Sequence, residues 1–179
     1  MGELGPFTGV VDVKTVRPLS KSGRTFIFGG TIGLMEKTVT HLAELEAEAG
    51  RFTASLAPRA AGATLVTLSG ELGAGKTAFT KVVARTLGVA DTVTSPTFVL
   101  EKVYSLPSGL SFKRLVHVDA YRLQSGADLA PLGFEELMRD RGNLVILEWP
   151  ERVADALPEP AVRISLAALP DGSRTISYA

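Results

Sequence analysis

Cysteine is absent from the 179-residue sequence, which excludes disulfide bonds, zinc sites built on thiolates and catalysis by a cysteine nucleophile. Net charge is also lacking: 19 basic residues balance 19 acidic ones, so the chain has no electrostatic attraction of its own for DNA or an anionic membrane. No apolar run approaches the roughly 18 residues of a membrane helix, and the first residues do not resemble a signal peptide. We therefore expect a soluble, cytoplasmic protein that makes no membrane contact and reaches any RNA through a partner.

Glycine is concentrated in the first 35 residues of the sequence. Two weak strand patterns, at 10–16 and 24–28, lie on either side of the polar segment Lys21-Ser22-Gly23, and this arrangement favours a β-hairpin. We interpret residues 1–35 as a small, peripheral N-terminal extension and residues 36–179 as the main domain.

The rest of the sequence alternates between helical and strand patterns. A leucine-rich stripe with steps of three and four residues begins after Thr40 and predicts a helix that ends before Pro58. Short apolar runs rich in β-branched residues predict strands. The alternation favours an α/β fold with a mostly parallel sheet, helices on both faces and a C-terminal β-hairpin. The predicted strands cover 63–69, 97–106, 114–119, 143–149, 161–169 and 174–178, and further helices are predicted at 77–87 and around Phe134.

The most informative motif is GELGAGKT at residues 70–77, which matches the phosphate-binding pattern G-x-x-x-x-G-K-S/T. Its glycines let backbone amides turn inward around phosphates, and the helix that follows directs its positive end at them. Lys76, expected in a solvent-accessible loop, would supply a cation to the β- and γ-phosphates, and the Thr77 hydroxyl would bind Mg²⁺. Because the motif lies between a predicted strand and a predicted helix, the sequence predicts a nucleotide site in a fold like that of the P-loop NTPases.

A P-loop needs a second acid near its Mg²⁺, at the carboxyl end of a neighbouring strand. Two predicted strands end on an acid, RLVHVD on Asp119 and NLVILE on Glu148. The residues alone do not distinguish which acid binds the metal and which positions water, so both assignments stay open.

Three further side chains near these motifs have two interpretations each. Pro96 restricts the residue before it to extended conformations and would hold Thr97 near the γ-phosphate, although a plain turn before the strand is the simpler interpretation. His117 lies on the same strand face as Asp119, but a half-buried structural histidine is the favoured interpretation. Trp149, the single tryptophan, is by itself more typical of a core or an interface than of catalysis.

Four segments resemble, in their order and spacing, the TsaE (YjeE) family of bacterial P-loop ATPases: GELGAGKT (70–77), SPTF (95–98), HVDAYRL (117–123) and LEWPER (147–152). The resemblance covers about residues 40–169. It implies a small α/β domain that binds ATP and Mg²⁺ and acts in tRNA threonylcarbamoyladenosine biosynthesis with the partner proteins TsaB and TsaD. In that family the partners modify the adenosine 3′ of the anticodon, and ATP hydrolysis is taken to return their complex to an active state. The chain would therefore reach tRNA only indirectly.

The resemblance also implies roles for individual residues. Thr77 and Glu148 would be the magnesium ligands, while Lys76 and the neighbouring amides would hold ATP. Asp119, Thr97 and Trp149 occupy positions implicated in hydrolysis or its control. Turnover would be slow without the partners, because water positioning and charge stabilisation supply most of the rate. The candidate site thus has the nucleotide-binding residues Glu71, Leu72, Gly73, Ala74, Gly75, Lys76, Thr77 and Trp149, the metal ligands Thr77 and Glu148, and the catalytic residues Asp119, Thr97 and Glu148.

Two other function classes are alternatives to an ATPase. A P-loop small-molecule or nucleoside kinase would carry an arginine-rich lid over the phosphates, but residues 123–136 contain no arginine, and Arg139 and Arg141 are a thin candidate. A GTP-binding switch would carry the guanine-reading pattern N-K-x-D, but the single asparagine, Asn143, is followed by Leu144. The sequence favours the ATPase over both.

The N-terminal extension should be dispensable for nucleotide binding, because residues 36–179 retain every motif above and residues 1–35 carry none of them. We predict that a chain truncated to 36–179 binds ATP with an affinity close to that of the full chain in calorimetric titrations. Circular dichroism checks that the truncated chain is folded. A folded 36–179 chain that has lost ATP binding would show that residues 1–35 belong to the site.

Overall fold

The computed structural model describes residues 35–90, 96 and 99–179. The hairpin predicted at 10–16 and 24–28 lies outside the described residues, as does Thr97. None of the helices in the described part of the chain has the length and apolar character needed to span a membrane. The described strands are β1 Met35–Val39, β2 Thr64–Ser69, β3 Glu101–Ser105, β4 Arg114–Asp119, β5 Asn143–Glu148, β6 Val162–Ala168 and β7 Arg174–Tyr178; the α-helices are α1 Leu42–Ser55, α2 Lys76–Thr86 and α3 Phe134–Arg139, and 3₁₀ helices cover Gly126–Leu132 and Pro150–Arg152.

The strands form one sheet in the order β1-β7-β6-β2-β5-β4-β3. The central strands β6, β2, β5 and β4 run parallel, while β3 and the pair β1 and β7 join the edges in antiparallel fashion. The predicted α/β class, its parallel central sheet and the C-terminal hairpin of β6 and β7 are confirmed. Parallel strands end at the same edge of a sheet, so Glu148 at the end of β5 is level with Leu68 of β2 and Asp119 of β4.

Two cores cover the two faces of the sheet. Helices α1 and α2 pack on one face, where the ring centroids of Phe52 and Phe79 are 5.6 Å apart. Helix α3 and the first 3₁₀ helix cover the other face. Strand residues alternate between the cores because side chains along a strand point to opposite faces. The first core contains Val66, Leu68, Leu115, Leu144, Ile146 and Ile164, and the second contains Leu65, Val116, Val118, Val145 and Leu147.

Strand β1 is not among the predicted strands. It begins at Met35, the last residue of the predicted extension, and pairs antiparallel with β7 along its whole length. Its sequence, MEKTV, has little apolar character, so its strand conformation depends on pairing with β7, which a local pattern does not reveal. The domain boundary after residue 35 stays a prediction, and a truncated chain that begins at Met35 would keep β1 whole.

Two other segments differ from the sequence prediction. In the strand predicted at 97–106, the described residues Val99 and Leu100 belong to a turn instead, in which the amide of Val99 donates to the carbonyl of Pro96 at 2.8 Å, and β3 begins at Glu101. Leu100 in that turn has a φ of +65°, a conformation that ends extended structure. The 3₁₀ helix Gly126–Leu132 is absent from the prediction because it contains Pro131, which usually signals a loop.

Candidate functional site

The P-loop connects β2 to α2 at the carboxyl edge of the sheet. Gly70 follows β2 with a φ of +134°, and a Cβ atom there would lie 2.2 Å from the carbonyl oxygen of Leu166, so the exit from the strand requires glycine. Gly75 precedes α2 with a φ of +106°, again in the region that favours glycine. These turns start α2 at Lys76 and direct the positive end of the helix dipole towards the loop.

Lys76 is buried, in contrast to the solvent-accessible position expected from the sequence. Its ammonium donates to the carbonyl oxygens of Gly70 at 2.6 Å and Glu71 at 3.0 Å, and it lies 3.5 Å from the centroid of the Trp149 ring. Burial lowers the pKa of Lys76, and the neighbouring carboxylates, that of Glu148 first, oppose the shift. The ammonium of Lys76 thus contacts carbonyl oxygens and an aromatic face. Phosphate oxygens can take the place of both kinds of partner.

Glu148 contacts the first turn of the P-loop helix α2. It ends β5 with 1% of its surface exposed. Its Oε2 atom accepts a hydrogen bond from the Thr77 hydroxyl at 2.9 Å, and its Oε1 atom lies 2.7 Å from Nε2 of His117. The two predicted metal ligands, Thr77 and Glu148, are therefore in direct contact. His117 is fully buried rather than half-buried, and it touches the candidate site itself.

Asp119 ends β4 at the same edge of the sheet and is 3% exposed. Its Oδ1 atom accepts a hydrogen bond from the amide of Tyr121 at 3.0 Å, which directs the carboxylate towards the loop that follows β4. Asp119 lines the cavity at the P-loop together with Glu148. Both acids named from the sequence therefore reach the site, with Glu148 bonded to Thr77.

Trp149 follows β5 in a left-handed backbone conformation, with a φ of +63°. The strand predicted at 143–149 is therefore one residue too long, because Trp149 turns the chain into the second 3₁₀ helix. Its amide donates to the carbonyl of Leu68 at 3.0 Å, and its ring lies 4.9 Å from that of Tyr121. These contacts hold the indole beside the P-loop, over Lys76.

A cavity of about 340 Å³ lies between the P-loop and the two acids. Two predicted site residues among the described ones are not part of its wall: Glu71 contributes its carbonyl to Lys76, and Ala74 is buried in the first core. Thr97 lies outside the described residues. The wall is formed by the predicted residues Leu72, Gly73, Gly75, Lys76, Thr77, Asp119, Glu148 and Trp149, together with Ala78 and Tyr121. Ala78 and Tyr121 are absent from the predicted site, although each lies within two residues of a predicted site residue in the sequence.

A second cavity, of about 460 Å³, shares Gly73, Gly75 and Ala78 with the first and so lies against the P-loop as well. Its other walls come from the end of β1, the start of α1, the two residues between them, and β6 and β7: Val39, Thr40, His41, Leu42, Leu45, Leu166, Arg174 and Ile176. The sequence prediction misses these residues because they meet only through the pairing of β1 with β7, in which Val39 is opposite Arg174. Arg174, a basic residue at the start of the last strand, is a local feature that could have indicated this cavity.

The atoms that the site offers to a metal ion suit Mg²⁺ better than they suit a metal whose ligands all come from the protein. Among residues 35–90, 96 and 99–179, no group of three or more His, Cys, Asp or Glu could hold a metal ion. Thr77 and Glu148 offer oxygen atoms, which Mg²⁺ prefers, and Mg²⁺ usually takes one or two protein ligands and completes its shell with phosphate and water.

Comparisons with known proteins show which family and fold this chain resembles. The family model described as Threonylcarbamoyl adenosine biosynthesis protein TsaE matches residues 41–176. A solved structure, the crystal structure of Bacillus subtilus YdiB, is similar with a TM-score of 0.63 and 28% sequence identity, covering 83% of this chain and 86% of that one.

Curated relatives carry the same family name in full. A tRNA threonylcarbamoyladenosine biosynthesis protein TsaE of Treponema pallidum (strain Nichols) is 44% identical over 116 residues, which are 65% of this chain and 82% of the relative. A protein of that name from Rickettsia typhi (strain ATCC VR-144 / Wilmington) is 33% identical over 138 residues, which are 76% of this chain and 92% of the relative. Since the family model matches residues 41–176 of the 179-residue chain and these relatives align along most of their own length, this chain belongs to the TsaE family.

Proposed function

We propose that this chain is a Mg²⁺-dependent ATPase of tRNA threonylcarbamoyladenosine biosynthesis. The observation that carries the proposal is the convergence of Lys76, Thr77 and Glu148 on one cavity beside the P-loop. The relatives from Treponema pallidum and Rickettsia typhi are named for this biosynthesis, and their kinship supports the same pathway here.

The two cavities at the P-loop support a division of the nucleotide between them. The first contains the lysine, the threonine hydroxyl and the start of α2, which are the groups that bind phosphates. The second has mostly apolar walls together with Thr40, His41 and the guanidinium of Arg174, a combination that suits a purine base. We therefore assign the triphosphate to the first cavity and the adenosine to the second.

Thr77 and Glu148 are the proposed ligands of Mg²⁺. The Thr77 hydroxyl donates a hydrogen bond to Glu148, and the lone pairs of its oxygen stay available for a cation. When bound, the metal would be held by Thr77 and Glu148 and would offset the negative charge that develops on the phosphates.

Asp119 is the proposed water-orienting acid, since it lines the same cavity as Glu148, which is the acid that bonds Thr77. A carboxylate in that place can accept a hydrogen bond from the attacking water and direct its lone pair at the γ-phosphate. Lys76 is the proposed cation for the phosphates, and Trp149 restricts where its ammonium can lie. Thr97 remains a proposed catalytic residue on the strength of the family resemblance.

TsaB and TsaD are the proposed partners, and the chain would reach tRNA through them rather than by itself. The balanced charge supports this indirect contact, because autonomous tRNA binding draws on a basic surface. We propose the cytoplasm as the compartment, because the substrate of the proposed pathway is tRNA. Turnover by the chain alone is proposed to be slow and to rise with the partners.

A kinase is the main competing function, and the position of its candidate lid weakens it. Arg139 ends α3 and Arg141 follows it, both just before β5 begins at Asn143. They therefore lie at the amino end of β5, whereas the P-loop and Glu148 lie at its carboxyl end. An arginine lid over the phosphates would have to approach from the other edge of the sheet.

Lys76→Ala tests the nucleotide site, with Lys76→Met as a control that keeps most of the side-chain length without the charge. Both variants should lose tight ATP binding and turnover, because the phosphates lose their cation. The parent chain should release phosphate from ATP rather than GTP, more rapidly with purified TsaB and TsaD, and without transfer to nucleoside acceptors.

Circular dichroism checks that both Lys76 variants are folded. Unchanged ATP turnover in folded Lys76→Ala would remove the P-loop assignment, and phosphate transfer to an acceptor would favour the kinase. Phosphate release that TsaB and TsaD leave unaltered would contradict the proposed partners.

Glu148→Gln and Asp119→Asn should have separable effects. A metal ligand acts in the ground state, so Glu148→Gln should raise the Mg²⁺ concentration needed for tight ATP binding by about tenfold or more. An acid that orients water acts mainly in the transition state, so Asp119→Asn should lower single-turnover hydrolysis by about 10²-fold with little change in ATP affinity. The reverse pattern, with Asp119→Asn shifting the Mg²⁺ requirement and Glu148→Gln not, would exchange the two assignments.

A further inference from the structure

We propose that His117 is a positioning residue for the metal-binding carboxylate of Glu148. The proposal rests on the proposed function, because it gives His117 a task only if Glu148 binds Mg²⁺. His117 holds one carboxylate oxygen, so that the other oxygen is directed at the hydroxyl of Thr77, the second proposed ligand.

Strand geometry places His117 beside the carboxylate. β4 and β5 are parallel neighbours, with His117 opposite Ile146 and Asp119 opposite Glu148. Leu115 and Ile146 both belong to the core under α1 and α2. Because alternate residues of a strand share a face, His117 and Glu148 lie on that same face, one step nearer the carboxyl edge than these core residues.

The contact is a short hydrogen bond that is closed to water. Nε2 of His117 lies 2.7 Å from Oε1 of Glu148, and the two side chains are 0% and 2% exposed. The proposed role of Glu148 as a metal ligand requires an ionised carboxylate, which has no proton to give, so we assign the hydrogen of this contact to Nε2 of His117. A hydrogen bond to a charged acceptor is stronger than a neutral one, and a low local dielectric strengthens it further.

The two oxygens of the carboxylate have different partners. Oε1 accepts from His117, while Oε2 accepts from the Thr77 hydroxyl at 2.9 Å. Rotation about the last bond of a glutamate side chain is broad when nothing holds it, because the bond joins tetrahedral and planar carbon atoms. The hydrogen bond from His117 on β4 therefore fixes this rotation, so that the second carboxylate oxygen faces the P-loop helix. Partners of this kind behind a metal ligand change metal affinity by about 10–100-fold.

His117 differs from a structural core histidine, whose ring nitrogens form hydrogen bonds with backbone groups. Among the described residues, its Nδ1 atom has no hydrogen-bond partner, so the contact with Glu148 is the one that uses its polar character. An apolar residue of similar size would fill the same volume without burying two ring nitrogens. The bond to Glu148 is thus what distinguishes histidine from leucine at this position.

His117→Gln and His117→Asn form the matched pair that tests the proposal. The amide nitrogen of glutamine reaches close to the place of Nε2 and can still donate to Oε1, whereas asparagine is one methylene shorter and cannot. We expect the Mg²⁺ concentration for half-maximal tight ATP binding to rise about tenfold in His117→Asn and to stay within about threefold of the parent in His117→Gln. Binding of Mn²⁺ to the ATP complex, followed by electron paramagnetic resonance, should weaken in the same order and does not depend on turnover.

Controls separate a positioning role from a loss of folding. Circular dichroism and the affinity for ATP in the presence of a chelator should be alike in the parent, His117→Gln and His117→Asn. If His117→Asn does not fold, His117→Leu takes its place with the same expectation. In a chain that already carries Glu148→Gln, adding His117→Asn should not raise the Mg²⁺ requirement further, because the group that it positions is gone.

Failure of this inference can be told from failure of the proposed function. A folded His117→Asn chain with the Mg²⁺ requirement of the parent would overturn the positioning role, and so would equal rises in His117→Gln and His117→Asn. If Glu148→Gln raises the requirement while His117→Asn does not, the metal assignment stands and the positioning role falls. If Glu148→Gln leaves the requirement unchanged, the metal assignment fails and the role of His117 falls with it.

Discussion

A carboxylate buried at the end of a central strand is the constraint on which the site depends. Glu148 is 1% exposed, and an ionised carboxylate at that depth costs several kcal/mol unless hydrogen bonds compensate it. Its two partners come from separate elements, Thr77 from the first turn of α2 and His117 from β4. The parallel pairing of β5 with β2 and β4 is what brings both elements to the same carboxylate.

The ammonium of the P-loop lysine is held by contacts that bound phosphate oxygens could replace. Lys76 donates to carbonyl oxygens of the loop itself and lies over the face of Trp149. These groups are weaker partners than phosphate oxygens, with which a lysine forms charge-assisted hydrogen bonds. Trp149 is fixed in turn by the bond from its amide to Leu68, so the end of β5 supplies both the carboxylate and the aromatic wall of the cavity.

The sequence predicts the parts of this site that depend on short, local sequence patterns. The P-loop follows from glycine spacing, and Asp119 and Glu148 follow from acids at the ends of apolar strands. What it could not predict depends on contacts between distant segments. β1 is a strand because β7 pairs with it, and that pairing assembles the second cavity around Arg174. The bond of His117 to Glu148 depends on the register of β4 and β5, which neither strand encodes alone.

The most direct test of this account is a crystal structure of the full chain with Mg²⁺ and a non-hydrolysable ATP analogue. We expect Mg²⁺ to contact the Thr77 hydroxyl and the Glu148 carboxylate, with the ammonium of Lys76 on the phosphates. We also expect Nε2 of His117 to remain bonded to Oε1 of Glu148. A metal ion bound by Asp119, with Glu148 making no contact to the metal or its water ligands, would contradict this account.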